Sequence, residues 1–237
     1  MIDVLLFVFF VLLALALGVA LGDRLLAALA ERKASEYLTE PLGRAATVRV
    51  HGTPFLTQAL RGRYRDIEVT GGGLQIGEIG GATLSAHLFD AVLPPRELLG
   101  GRARELPCAH VEGRLLLPYG ELARVSRVPG LSLTFENDRL VASASVPVPG
   151  IGQLARVSGE ALLTVAGGGV VWLRVRGLSV AGISLPSLVV KQLLPSLNVP
   201  IPLPELPYGL RLDKLEAVPA GLAVCGSADD VVFQAPA

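Results

Sequence analysis

Side chains able to carry acid–base, nucleophilic or metal chemistry are few and scattered along the chain. The three histidines, His51, His87 and His110, each lie in a strand-like stretch, at no spacing that suggests shared metal ligation. Asp229 and Asp230 are adjacent carboxylates that would point to opposite faces of a strand, and we interpret them as turn residues. No G-x-S-x-G elbow and no G-x-G-x-x-G loop occurs. The sequence therefore predicts a protein that is not an enzyme, with no cofactor and no metal site.

The chain has two cysteines, Cys108 and Cys225. No C-x-x-C motif and no His/Cys cluster surrounds either of them, which argues against a zinc site. Two interpretations stay open at this point. One is a single disulfide, which would form outside the cytoplasm, and the other is a pair of unrelated buried thiols. The sequence does not fix the geometry that a disulfide needs.

A short apolar helix directly before a basic turn is predicted in the stretch Gly52–Val69, "GTPFLTQALRGRYRDIEV". Thr53 and Pro54 are typical of a helix start. The apolar residues that follow them are Phe55, Leu56, Ala59 and Leu60. Three arginines come next, Arg61, Arg63 and Arg65, and strand alternation gives Arg63 and Arg65 one face. A solvated basic turn beside a phenylalanine of the core explains the same pattern without any ligand.

Alternating apolar and polar residues predict strands over most of the chain after residue 46. The predicted strands are Thr47–His51, Ile67–Val69, Leu74–Ile79, Ala82–Leu93, Cys108–Leu117, Leu131–Phe135, Leu140–Val146, Glu160–Val165, Val170–Leu178, Leu210–Ala217, Leu222–Val224 and Val231–Phe233. The predicted turns between strands include Gly71–Gly73, Glu136–Asp138 and Gly167–Gly169. Strands of about ten residues span roughly 33 Å, which is long for a small sandwich. We predict an α+β, mostly β fold in which a long curved antiparallel sheet wraps around one or two apolar helices.

Apolar periodicity predicts a few helices. Pro118–Val125 is a short one, and Leu185–Asn198 is more apolar, with Ser187 as its N-cap and Pro195 as a kink or end. The second helix carries a broad apolar stripe formed by Leu188, Val189, Leu193, Leu194 and Leu197.

Another helix is predicted to begin at Asp23 as its N-cap and to run to about Glu40. Its leucines, among them Leu25 and Leu29, recur at helical spacing, so the helix is amphipathic. Two interpretations stay open: a helix that lies on a membrane, and an ordinary packing helix of the domain.

The apolar run Val4–Leu21 carries no charged residue. About 18 apolar residues is the lower limit for a helix that crosses a bilayer, and signal peptides carry basic residues that are missing before this run. Two weak cleavage sites follow, Gly18–Ala20 and Ala20–Gly22, and we favour a retained anchor over a cleaved signal. The predicted organisation is a transmembrane anchor or signal segment at 1–22, an amphipathic juxtamembrane helix at 23–43 and a single domain at 44–237.

Composition restricts the partners. The net charge is zero, which argues against a nucleic-acid-binding protein that works through bulk electrostatics. Hydrophobic residues make up 51% of the chain and aromatic residues only 5%, so small and branched aliphatic side chains dominate the interior. Such an interior is either a packed core or the wall of a cavity for acyl chains.

Two segments resemble a known family. The strand Val48–Gly52 leads into Pro54–Thr57 and then into Gly62 and Arg63, which is similar to the signature of the LmeA-like phospholipid-binding family of bacterial envelope proteins. Leu206–Val224 resembles the C-terminal pattern of that family. The resemblance implies a fold similar to tubular lipid-binding proteins, an extracytoplasmic domain that binds phospholipid or glycolipid, and no catalytic residues.

The resemblance suggests roles for the predicted apolar and basic residues. Acyl chains would contact Phe55, Leu56 and Leu60 together with the stripe of Leu185–Asn198. A headgroup phosphate would meet Arg61, Arg63 and Arg65, whose forked donors suit phosphate. A membrane-tethered scaffold domain with a solid core, which binds a protein partner in envelope assembly, is the alternative function.

Membrane orientation has conflicting indications. Arg24, Arg32 and Lys33 follow the apolar run, and only Asp3 precedes it, which by the positive-inside bias indicates a cytoplasmic domain. The family resemblance implies the extracytoplasmic, periplasmic side, and we give it more weight than three basic residues.

Overall fold

Strands account for most of the residues that the computed structural model describes. These residues are 18, 20–36, 46–100, 105–126, 128, 130–147, 154–166, 170–180, 183–184, 190, 199–202 and 209–234. The strands are β1 (Ala46–His51), β2 (Arg63–Ile76), β3 (Ile79–Val92), β4 (Glu105–Leu117), β5 (Ser132–Glu136), β6 (Arg139–Pro147), β7 (Leu154–Ala166), β8 (Val170–Val180), β9 (Ile183–Ser184), β10 (Val199–Pro202), β11 (Arg211–Val218) and β12 (Gly221–Gln234). The helices are α1 (20–36), α2 (Phe55–Arg61), α3 (Pro95–Gly100) and α4 (Tyr119–Val125).

The described strands form two open sheets. One has the order β1-β2-β3-β4-β12-β11, and the other has the order β10-β8-β7-β6-β5 with β9 paired to β8. The pairs β1–β2, β11–β12, β5–β6, β6–β7 and β7–β8 are antiparallel. The predicted α+β, mostly β class with long antiparallel strands is therefore confirmed, although the strands divide into two sheets where the sequence predicted one.

Two compact units make up the chain. The first comprises Met1–Gly71, Ser85–Glu112 and Ala228–Ala237, and the second comprises Gly72–Leu84 and Gly113–Ser227. The buried apolar side chains of the first unit include Val48, Phe55, Tyr64, Leu88 and Val111. Those of the second unit include Ile79, Leu117, Leu122, Leu173 and Leu222. Each unit thus has a core of its own.

Local turn chemistry confirms one predicted hairpin and corrects another. Asn137 and Asp138 have φ angles of 50° and 59°, as a two-residue type I′ turn requires, and they connect β5 to β6. Gly71–Gly73, which the sequence predicted as a turn, lies inside β2, where Gly71 pairs with Ala46 of β1. The chain turns later, at Gly77, whose φ is 58°. The glycine cluster therefore lies in the interior of a strand.

Asp229 and Asp230, which the sequence predicted as turn residues, also lie inside a strand. Both belong to β12, and Asp230 has a φ of 53°. The left-handed backbone there is tolerated by aspartate better than by most residues. The two aspartates therefore mark a local distortion within one long strand and not a turn between two strands.

Helix α1 is held to β1 by side-chain hydrogen bonds. The Val48 amide donates to Ser35 Oγ at 2.9 Å, and the Val50 amide donates to Glu31 Oε1 at 2.8 Å. Ser35 Oγ also donates to the Glu31 carbonyl at 2.7 Å, which fixes the serine on its own helix. The helix includes residues before Asp23, so the prediction that Asp23 is its N-cap is wrong.

Several predicted elements can be compared with the structure directly, and others lie outside it. The short helix predicted at Pro118–Val125 is confirmed as α4, with Pro118 as its N-cap. Among the described residues, no helix is both long enough and apolar enough to span a membrane. Most of the run Val4–Leu21 lies outside the described residues. The predicted helix Leu185–Asn198 also lies outside them, apart from residue 190.

The two cysteines are free thiols, which rejects the disulfide interpretation. Cys108 is buried in β4, and burial raises the pKa of its thiol to about 11. A thiol with this pKa is almost entirely protonated at neutral pH, so it is a poor nucleophile.

Candidate functional site

The helix α2 is set by residues at both of its ends. Gly62 follows it with a φ of 64°, and the Gly62 amide donates to the Ala59 carbonyl at 3.2 Å, which is a left-handed C-cap. The Gly62 carbonyl accepts a hydrogen bond of 2.9 Å from the Leu93 amide. A Cβ atom at Gly62 would lie 2.9 Å from the Leu93 carbonyl oxygen. Only glycine therefore fits the junction between α2 and β2.

The N-terminus of α2 is capped by Asp23 of α1. The Phe55 amide donates to Asp23 Oδ2 at 2.8 Å, and the Leu56 amide donates to Asp23 Oδ1 at 2.6 Å. The hydrogen bonds from these two amides lower the pKa of the Asp23 carboxyl, and the bond from Leu56 has the larger effect. Pro54, at the N-cap position, makes no side-chain cap. A carboxylate from another helix thus satisfies two of the amide donors that are free at the start of α2.

Replacing Asp23 by asparagine is expected to lower the melting temperature by about 2–4 °C, because the amide group keeps one acceptor and places an N–H against a backbone donor. Thermal unfolding followed by circular dichroism measures the change. Asp213→Asn, at an exposed aspartate of β11, is the matched control and should leave the melting temperature unchanged. An equal effect of the two substitutions would show that Asp23 is not the cap.

The two faces of α2 differ in exposure. Phe55 is buried, and its ring lies 6.3 Å from the ring of Tyr64, measured between centroids. Leu56 and Leu60 are exposed by 45% and 71%. Of the three apolar α2 residues that were predicted to contact acyl chains, Phe55 therefore lies in the core of the first unit, and the two leucines lie on its surface.

A buried tyrosine hydroxyl lies beneath this helix. Tyr64 is 4% exposed, and its hydroxyl has no hydrogen-bond partner among the residues that the structure describes. Burial raises the pKa of Tyr64, so the hydroxyl keeps its proton and remains a donor. The hydroxyl can therefore donate a hydrogen bond to a polar group of a bound molecule.

A second buried polar residue, Gln58, organises the chain around α2. Its Nε2 donates to the carbonyls of His51 and Gly52 at 3.3 and 3.0 Å. Its Oε1 accepts from the Arg65 amide at 3.0 Å. One side chain thereby connects the end of β1 with the start of β2, where the backbone ladder between the two strands has ended at His51 and Asp66.

The three predicted arginines are placed by these contacts. Arg61 lies in the last turn of α2, and Arg63 and Arg65 lie at the start of β2. All three are exposed, and none forms an ion pair with any residue in the described part of the chain. Their guanidinium groups are therefore available to an anion from outside.

Strand periodicity places Arg63 and Arg65 on the face of β2 that carries Ile67 and Val69. Ile67 pairs with Val50 and Val69 pairs with Val48 in the register of β1 and β2. Val48 is buried. The sheet face that holds these aliphatic side chains consequently ends, towards α2, in two exposed arginines.

The three histidines form a row with carboxylates and one phenylalanine, which the sequence did not predict. His51 Nε2 lies 2.9 Å from Glu68 Oε2, and His87 Nδ1 lies 3.0 Å from Asp66 Oδ1. The centroids of the His51 and His87 rings are 6.2 Å apart. Histidines and carboxylates from β1, β2 and β3 therefore lie next to one another in the first unit.

The row continues to β4 and β12. The Phe89 ring is stacked with His87 at 6.0 Å and with His110 at 5.9 Å. His110 Nδ1 lies 2.7 Å from Asp229 Oδ1. The Asp229 carboxylate raises the pKa of His110, and the hydrogen bond from His51 lowers the pKa of Glu68.

Each histidine of the row is paired with a carboxylate. Among the described residues, no group of three or more His, Cys, Asp or Glu side chains is arranged to hold a metal ion. Nucleophilic side chains are not part of the row, since Cys108 has a raised pKa and is buried.

A cavity of about 360 Å³ lies in the second unit, between α4 and β5. It is lined by Gly120, Ala123, Arg124, Val128, Gly130, Leu131, Ser132 and Leu133. The Arg124 guanidinium is already engaged, with Nη2 2.6 Å from Glu121 Oε2. None of the predicted site residues lines this cavity.

The remaining predicted acyl-chain contacts belong to the predicted helix Leu185–Asn198. They are Leu188, Val189, Leu193, Leu194 and Leu197, and all five lie outside the described residues. The structure thus brings together the predicted leucines of α2 and the three arginines, all in the first unit.

Comparison with known proteins gives one match. A sequence model for LmeA-like phospholipid-binding proteins matches residues 21–227. This range includes α1 from its first turn, α2 and the three arginines. No curated protein and no solved structure was found to match the chain.

Proposed function

Because the chain belongs to the LmeA-like phospholipid-binding family, we propose that it binds an anionic phospholipid or glycolipid with the headgroup phosphate at Arg61, Arg63 and Arg65. Binding is non-catalytic in this proposal. The acyl chains lie along apolar side chains, and the lipid is held or passed on within the cell envelope, on the extracytoplasmic side. The location rests on the family resemblance of the sequence.

The observation that carries the proposal is the set of three exposed arginines at the end of an apolar sheet face. Arg63 and Arg65 continue the face of β2 that carries Ile67 and Val69, and none of the three arginines is paired within the described residues. A phospholipid needs this combination of an apolar surface and nearby forked donors. A solvated basic turn explains the exposure of the arginines but not their position beside aliphatic side chains.

Apolar contacts in the proposal come from two parts of the chain. Leu56 and Leu60 are exposed on α2 and can contact acyl chains near the headgroup. Phe55 would support them from the core. The stripe of Leu185–Asn198, with Leu188, Val189, Leu193, Leu194 and Leu197, remains an acyl-chain contact on the basis of its sequence pattern.

The double substitution Arg61→Glu/Arg63→Glu is expected to reduce binding of phosphatidylglycerol at least about tenfold, because two charge-assisted contacts to phosphate are replaced by repulsion. Lipid transferred from vesicles to the protein is measured by extraction and mass spectrometry. Circular dichroism should show an unchanged fold, since both arginines are exposed.

The matched control is Arg174→Glu/Arg176→Glu, which reverses two exposed arginines on β8 that are two residues apart, as Arg61 and Arg63 are. It should leave lipid binding unchanged. Equal binding by the wild type and the Arg61/Arg63 variant would remove these arginines from the site. A wild-type protein that takes up no phospholipid would contradict lipid binding itself and favour a scaffold domain.

A further inference from the structure

Helix α1 exposes its large apolar side chains. Leu21, Leu25 and Leu29 are exposed by 64%, 67% and 59%, and Leu26 by 46%. Leu21, Leu25 and Leu29 are four residues apart, so they follow one stripe along the helix. A helix that packs as part of a soluble domain buries this stripe.

The opposite side of α1 is the one that contacts the first unit. Asp23 and Ala27 are 8% and 5% exposed. Farther along the helix, Glu31 and Ser35 accept hydrogen bonds from β1. The contact side is thus made of small and polar residues, and the leucines are on the other side. This arrangement is the reverse of an ordinary amphipathic packing helix, which buries its large apolar side chains.

Helix α2 adds two leucines to the same unit. Its first two amides donate to Asp23 of α1, which fixes the start of α2 beside the first turns of α1. Leu56 and Leu60 are four residues apart and exposed by 45% and 71%. We call the exposed leucines of the two helices the leucine surface, and its members are Leu21, Leu25, Leu26, Leu29, Leu56 and Leu60.

Charges around the leucine surface are mainly basic. On α1, Arg24, Arg32 and Lys33 are exposed, whereas the carboxylates of Asp23 and Glu31 are engaged by backbone amides. Glu36 is an exposed acidic residue at the end of α1. The exposed arginines near α2 are those of the proposed headgroup site. Basic residues beside an apolar helix face are typical of helices that lie at the surface of an anionic bilayer.

The sequence before α1 also indicates a bilayer as the partner of the leucine surface. The uncharged run Val4–Leu21 ends at the first member of the leucine surface. Its composition is that of a segment that partitions into lipid. Whatever bilayer receives this run is therefore brought within one helical turn of Leu25.

We propose that the leucine surface docks on the face of a bilayer that contains anionic lipid. This inference extends the proposed function, because docking would hold the arginines of α2 at the height of the phosphates from which a lipid is taken or to which it is delivered. α1 lies in the interface with its leucines towards the acyl chains. Asp23 of α1 caps α2 and therefore holds α2 at the same surface.

Depth measurements on the full chain test the proposal. A nitroxide label is attached at Leu29→Cys, Leu60→Cys or Val232→Cys, each in a Cys225→Ser background, and Cys108 stays unlabelled because it is buried and its thiol pKa is about 11. Val232 is the matched control, since it is 48% exposed and lies on β12, which is separated from β1 by three strands in the sheet order. The protein is reconstituted in vesicles of three parts phosphatidylcholine and one part phosphatidylglycerol.

Labels at residues 29 and 60 should collide with a water-soluble nickel chelate at least about fivefold less often than the label at 232, and more often with oxygen. Vesicles of phosphatidylcholine alone should shield both positions less. Leu21→Glu/Leu25→Glu should expose the label at residue 60 to nickel again. Equal nickel collision rates at all three positions would overturn the proposal.

Other occupants give different signals. A second copy of the chain would broaden the spectrum of the label at residue 29 through spin–spin coupling, and folding back of the Val4–Leu21 run would shield this label equally in detergent and in vesicles. Either result would overturn docking on lipid. Failure of the proposed function is seen separately, as absence of lipid uptake, so docking without uptake and uptake without docking are distinct results.

Discussion

Gly221→Ala is expected to destabilise the protein by about 3 kcal/mol or more, because no side chain fits at this position. A Cβ atom there would lie 2.3 Å from the Leu117 carbonyl oxygen and 2.9 Å from the Leu117 carbonyl carbon. These are backbone atoms and cannot rotate away. The φ angle of Gly221 is 154°, a conformation that L-residues rarely adopt. The start of β12 can therefore pass the end of β4 only without a side chain.

Urea unfolding followed by circular dichroism measures this effect as a lower midpoint. Gly72→Ala is the matched control, because a Cβ atom at Gly72 would have no heavy atom within 4 Å and the residue is in a strand. It should leave the midpoint unchanged or raise it slightly, since alanine restricts the unfolded chain. A Gly221→Ala protein as stable as the Gly72→Ala protein would show that β12 does not approach β4 so closely.

Gln58→Leu should cost about 2–4 kcal/mol of the free energy of unfolding. Leucine has a similar size but cannot replace the hydrogen bonds to the carbonyls of His51 and Gly52 and to the amide of Arg65. Each buried backbone group left without a partner costs about 1–3 kcal/mol, and partial access to water reduces the sum. The loss should also loosen the start of β2, which carries Arg63 and Arg65.

Chemical denaturation gives the stability, and hydrogen exchange of the Arg65 amide gives the local effect. The exchange rate of this amide should rise in Gln58→Leu. Gln75→Leu is the control, because Gln75 is exposed and makes one hydrogen bond, to the Gly77 carbonyl at 2.9 Å. Its effect should stay below about 0.5 kcal/mol. Similar losses from the two substitutions would contradict the connecting role of Gln58.

The features that the sequence predicted correctly depend on residues that are close together in the chain. The turn at Asn137 and Asp138, the helices α2 and α4, and the predominance of long strands follow from turn residues and from apolar periodicity within a few positions. The order of apolar and glycine positions around α2 was enough to indicate the family. Periodicity also predicted that Arg63 and Arg65 share a face.

Pairings between distant residues were not predictable in the same way. Alternation gives the face of a side chain but not the strand that will lie beside it, so His51, His87 and His110 looked unrelated until the sheet order placed them in one row. The cap of α2 comes from Asp23, 32 residues before Phe55. Aspartate is a common N-cap residue, and local sequence patterns predicted that Asp23 caps the helix nearest to it, α1, whereas it caps α2.

The hydrogen bonds between α1 and β1 have a consequence for self-association. Among the described strands β1 pairs only with β2, and the outer edge of such a strand is a template on which another chain can add a strand. The side chains of Ser35 and Glu31 occupy the amides of Val48 and Val50, so α1 blocks that template. A shortened chain that starts beyond residue 36 would present it and aggregate.

This protection does not depend on how the apolar run is processed. Cleavage at either predicted site, Gly18–Ala20 or Ala20–Gly22, would leave Asp23 and both protecting side chains on the folded part. A released form and an anchored form would therefore have the same shielded first strand. Detachment of α1 from β1 would expose the edge of β1 to strand addition by another chain.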